Sequence, residues 1–97
     1  MDAKKAFIYW THPLHNKKKL QIGAHYFPHI VRLDDPNQEH WSVHFIITEE
    51  NQKHAGIIEL NLLIDNSESK AFFETLVPNV QFVLLEGFTE VARGYII

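Results

Sequence analysis

The stretch Val83–Ile97, VLLEGFTEVARGYII, reads as two apolar runs folded about a glycine-containing turn. With Gly87 and Phe88 as a two-residue loop, glycine supplies the positive φ of a type II′ turn, and Leu84 falls opposite Val91 and Val83 opposite Ala92. One face of the ribbon then carries Val80, Phe82, Leu84, Val91, Arg93 and Tyr95, and the other Val83, Leu85, Glu90, Ala92, Gly94 and Ile96. Both are largely apolar, so the hairpin is expected either to be covered on both sides or to present an adhesive outer surface. A terminal strand frays unless neighbours hold both its edges, so Ile96 and Ile97 predict a closed sheet in which the last strand is interior. The small pair Ala92 and Gly94 would let another backbone approach.

Working back from this hairpin, the apolar spacing stays mostly at period two. Trp41, Val43, Phe45 and Ile47 alternate with Ser42, His44, Ile46 and Thr48, and Ile58, Leu60, Leu62 and Ile64 repeat the pattern. Lys5–Trp10 and Ile22–Leu33 complete the expected strands, with Pro28 at an edge or bulge because it has no ladder donor. Turn residues separate the runs at 34–36, 50–54, 65–69 and 78–79. The segment ESKAFFETL, Glu68–Leu76, is expected to form at most a short helical turn. One all-β domain over residues 1–97 follows, a small antiparallel barrel or sandwich with Val43, Phe45, Leu60, Leu62, Phe82 and Leu84 in its core.

Composition narrows the function classes. Nine Lys and Arg against twelve Asp and Glu leave a net charge of −3, without the broad positive field of indiscriminate nucleic-acid binders. The absence of cysteine removes disulfides, thiolate metal sites and cysteine nucleophiles. The apolar run in MDAKKAFIYW is too short for a signal peptide or a membrane span, so a cytoplasmic protein away from membranes is expected.

AHYFPHIVR (Ala24–Arg32), a long β-rich middle, and VQFVLLEGFTEVARGYII (Val80–Ile97) together resemble the C-terminal barrel, domain III, of elongation factor Tu and related translational GTPases. Tyr26 and Pro28 match the family's first segment, and Phe82, Leu84, Glu86, Gly87, Val91 and Gly94 match its last. The resemblance implies a closed six-stranded antiparallel Greek-key barrel. Phe27 replaces the family's arginine, and Arg93 stands where the family keeps a small residue. No GxxxxGK[ST] phosphate loop occurs, so nucleotide hydrolysis is not expected. In the complete factors this barrel contacts the GTPase domain, the T-stem of aminoacyl-tRNA and an exchange factor.

The remaining candidates are local. His12 and His15 flank PL; His25 and His29, and likewise His40 and His44, share strand faces. Residues four apart on a strand are about 13 Å apart, so a metal would need histidines from neighbouring strands, such as His29 and His44. Structural histidines, and no metal or other cofactor, are the expectation. The acidic pairs Asp34–Asp35 and Glu49–Glu50 read as solvated turn residues, and Ser42 with His44 lacks a placed carboxylate, so no catalytic residue is assigned. Lys17, Lys18 and Lys19 concentrate positive charge in a loop and, with Phe27, are the candidate tRNA or RNA contacts. The leading expectation is a non-catalytic interaction module, homodimeric or bound to a protein partner, that docks through Val83, Leu85, Phe88 and Ile96.

Overall fold

The computed structural model describes residues 3–12, 22–52 and 54–97, with backbone alone at 50–52. Among the described residues seven strands and one helix follow in chain order: β1 (Lys4–Trp10), β2 (His25–Tyr26), β3 (His29–Arg32), β4 (Trp41–Gln52), β5 (Ala55–Leu62), α1 (Ser67–Glu74), β6 (Gln81–Glu86) and β7 (Thr89–Ile96). Hydrogen bonding runs β4-β3-β6-β7-β1-β5, and β5 pairs back onto β4 to close a six-stranded ring in which every pairing is antiparallel. The consecutive strands β3, β4 and β5 are neighbours, and β1 lies beside β5, which is a Greek-key connection. The closed barrel expected from the hairpin and the resemblance is therefore present, with one additional strand.

That additional strand is β2, and Pro28 accounts for it. His25 and Tyr26 pair with Ile46 and Phe45, whereas His29 and Ile30 pair with Ser42 and Trp41, along the same edge of β4. Between them the Pro28 carbonyl accepts from the Val43 amide at 3.1 Å, while the proline itself donates nothing. The single run expected over residues 22–33 is thus two short strands on one line.

At the other end of the chain, β7 is interior. It pairs with β6 on one edge and β1 on the other, and the Ile97 amide donates to the Lys5 carbonyl at 3.0 Å. The turn lies where it was expected, with Gly87 at φ +62° between Glu86 and Thr89. The face assignment does not hold beyond the first two pairs. Leu85 faces Glu90, but Leu84 faces Ala92 and Val83 faces Arg93, because an irregularity at this point inserts Val91 as an extra residue. A one-residue shift exchanges the faces of a strand. Ala92, Gly94 and Ile96 consequently turn inward with Phe82 and Leu84, and Arg93 and Tyr95 turn outward.

The core fills the barrel with Ala6, Ile8 and Trp10 of β1, Ile30, Val43, Phe45 and Ile47, Ile58 and Leu60, Phe82 and Leu84, and Ala92 and Ile96. Of the six expected core residues, Leu62 is half-buried against this cluster and the others are buried within it. The helix is longer than expected, at eight residues. Asn66 caps it by accepting from the Ser69 amide at 2.8 Å, a local signal for a helix start. Phe73 and the following Leu76 enter the core from this segment, so short length is offset by burial rather than by propensity.

Candidate interaction face

The inward positions on β4 fix which residues point outward: with Val43, Phe45 and Ile47 in the core, Ser42, His44 and Ile46 face solvent. By the same alternation His29 on β3 and Leu85 on β6 are outward, and the register sets His29 between Ser42 and Leu85. His25 on β2, Phe27 in the break before Pro28, His40 before β4 and Phe88 at the hairpin tip extend this face. These elements lie side by side only because β3 joins β4 to β6.

The ring contacts are specific. His25 Nδ1 and His44 Nε2 are 2.9 Å apart, and Phe27 stacks on His44 with centroids 4.9 Å apart. His29 meets His40 at 5.9 Å, and His40 meets Phe88 at 6.2 Å. Phe88 is 95% exposed and Phe27 65% exposed, whereas Leu85 is half-buried. None of the residues His25, Phe27, His29, His40, Ser42, His44, Leu85 and Phe88 carries a formal charge when its histidines are neutral. Burial holds the His44 imidazole below its ordinary range near 6.5, and charge on His25 adds to that effect.

The residues expected from sequence separate here. Leu85, Phe88 and Phe27 belong to the face. Ile96 does not: it is 2% exposed and sits in the core, because the irregularity at Val91 within β7 turns it inward. Val83 is outward by register but buried beside Val31, with which it pairs, so it supports the face without presenting itself. Lys17, Lys18 and Lys19, with His15, lie outside the described residues. His29 and His44 each pair with a different histidine, and among the described residues no three His, Cys, Asp or Glu side chains are grouped to hold a metal. His25 gained its role from the β2–β4 register and His40 from its place just before β4, neither of which spacing along one strand reveals.

Two other surfaces frame the comparison. A groove beside α1 is floored by Trp41 and Phe72, stacked at 4.7 Å with planes 9° apart, and rimmed by Asp35, Glu39 and Glu68. Arg32 closes one side of it, with Nε and Nη2 donating to Asp34 at 2.8 and 2.7 Å and Nη1 donating to the Thr75 carbonyl. On the opposite side of the barrel, Phe7, Tyr9 and Tyr95 cluster beside the Arg93–Glu90 pair. The guanidinium of Arg32 lowers the pKa of Asp34 and that of Arg93 lowers the pKa of Glu90, but such exposed pairs contribute little to stability. No helix among the described residues is long and apolar enough to cross a membrane. No family model, curated protein or solved structure matches the chain.

Proposed function

We propose that this chain is a non-catalytic interaction module, a barrel of the translation-factor type, that docks through the Phe27–Phe88 face and does so with a second copy of itself. The carrying observation is the exposure of two phenylalanines beside the uncharged Ser42, Ile46 and Leu85, with the exposed acids Glu39, Glu59 and Glu86 at the margins of the face, in a chain of which 22% is charged. A neutral, aromatic face is compatible with itself, whereas a charged one would repel its own copy. Burying the four phenylalanines of such a pair supplies about 6–12 kcal/mol at about 1.5–3 kcal/mol each. Association costs on the order of 4–15 kcal/mol, so a dimer held by these rings is weak and readily reversible. The cytoplasm is its proposed location, consistent with a cysteine-free chain.

Phe88→Glu tests this reading directly. The side chain is at a turn tip and outside the core, so the variant is expected to keep the wild-type circular dichroism and melting temperature. In light scattering it should run as a monomer at concentrations where the wild type is dimeric. A wild type that is monomeric throughout, or a variant of unchanged mass, would sink the proposal.

Phe27 gives a second reading, because an exposed ring stacked on His44 is also a platform for a nucleic-acid base. If docking is to protein, changing Lys17, Lys18 and Lys19 together to Ala should leave stability unchanged and tRNA retention at background. Wild-type tRNA binding that falls steeply with salt, with the slope flattened in the triple variant, would favour the nucleic-acid reading instead.

A further inference from the structure

The His25–His44 contact has an unusual geometry for two near-parallel rings. Their planes differ by 19° and their centroids lie 5.1 Å apart, against 2.9 Å between the facing nitrogens. The difference between the two distances is about the sum of the two ring radii, so the nitrogens lie on the line joining the ring centres. The rings therefore meet edge to edge, and one nitrogen's lone pair points at the other's proton. A zinc ion bound by both would need about 2.0–2.1 Å to each nitrogen, which cannot be met between nitrogens this close on a straight line. A proton fits where a metal does not.

Counting protons gives the behaviour of the pair. With both rings neutral, one facing nitrogen donates and the other accepts. A first added proton goes to the donor ring's remote nitrogen and leaves the hydrogen bond in place, now charge-assisted. A second must occupy the accepting nitrogen, so it removes the bond and sets two positive rings against each other. Among the described residues no carboxylate is ion-paired to either ring to offset that charge. Phe27 covers His44 from the β2 side; Ser42 and Ile46 flank it on β4; Asn61 lies opposite it on β5; His29 is the next titratable group on β3. The nearest acid by register, Glu59, is opposite Ile46 on the far edge of β4 from β2, and no ion pair joins a carboxylate to either imidazole among the described residues.

We propose that the His25–His44 pair makes docking proton-dependent: two copies associate while the pair keeps its hydrogen bond and separate when a second proton breaks it. The inference rests on the self-association reading above. In a symmetric dimer two such pairs contribute, and Phe27 loses its ordered support on His44 when the pair opens. The sign follows from the lowered His44 value: the closed form takes up its proton later than a free histidine. The contact is therefore fully stabilising above the ordinary histidine value near 6.5 and is lost as pH falls through the lowered one.

The test uses the full chain. Long-range proton–nitrogen NMR of the imidazoles from pH 8 to 4.5 should show His44 taking up its proton below the usual histidine range, with the facing His25 Nδ1 signal responding in the same step. The dimer dissociation constant, measured by light scattering, should rise at least about tenfold between pH 7.5 and 5.0, since each linked proton contributes up to tenfold per pH unit. His25→Gln, at an exposed position, should leave the fold intact, make His44 titrate in one step and flatten the pH dependence. Independent titration of the two histidines in a chain that dimerises would overturn the proton dependence alone. Coupled titration in a chain that is monomeric at both pH values would overturn self-association and, with it, the proposed control. Stoichiometric Zn²⁺ shifting both rings at neutral pH would replace the proton with a metal and also overturn it.

Discussion

Phe82→Ala is expected to leave the chain largely unfolded at physiological temperature. Phe82 is fully buried on the inner face of β6, opposite Gly94 on β7 and Arg32 on β3. Its ring lies within the buried cluster that fills the ring of strands. A closed barrel has little freedom to collapse into a vacated volume, because moving one strand strains the pairing on both its edges. The cost should be about 3–5 kcal/mol, close to the whole stability of about 5–15 kcal/mol typical of a native domain, with this small chain at the lower end. Urea denaturation followed by circular dichroism would measure it. A loss below about 1 kcal/mol would mean that Phe82 does not anchor the core.

The outcome for the hairpin shows how far sequence reaches. Turn chemistry at Gly87, the alternation in β4 and the missing donor at Pro28 are local, and all three appear where the residues place them. Closure was also legible, because a strand as apolar as β7 is protected by pairing on both its edges, and both are paired. The extra residue at Val91 was not. It depends on which face packs better across three strands, and that balance puts Ala92 and Gly94 against β1 rather than outside. One inserted residue removed Ile96 from the candidate face and made Tyr95 an exposed position. The helix was understated for a related reason: AFFE has ordinary propensity, and the stabilising contact is Phe73 entering the barrel from a distant part of the chain.

The candidate face was half legible. Phe27, Leu85 and Phe88 could be picked out as apolar residues without an evident place inside. The histidine pairs could not, because His25 and His44 are nineteen residues apart and meet only through the β2–β4 register. The four histidines look like scattered surface residues until the β2–β4 register brings His25 to His44, and the segment before β4 brings His40 to His29. The same register places the proposed docking face on β2, β3, β4 and the β6–β7 tip, across the barrel from the β7–β1 seam. Substitutions at the seam and at the face should therefore separate folding from association.

Gly94→Ala is the substitution expected to act on the seam, with an effect comparable to that of Phe82→Ala. Gly94 pairs with Ile8 on one edge and Phe82 on the other. A Cβ built there would overlap the Phe7 carbonyl oxygen and stand 2.9 Å from Ile8 Cγ2. The obstacle is backbone, so no rotamer change relieves it, and the β1–β7 ladder must open or shift. Overpacking in a core commonly costs about 1–3 kcal/mol, and a rigid backbone clash belongs at or above that upper end. Gly87→Ala is the matched control: at φ +62° it is strained, but nothing lies within 4 Å of the added carbon. It should cost only on the order of 1 kcal/mol, the conformational share without the collision. Thermal melts of the two variants, with hydrogen exchange of the β1 and β7 amides, distinguish these causes. Comparable melting temperatures for both would show that the seam can widen at little cost, and that closure of the barrel does not depend on the absence of a side chain at Gly94.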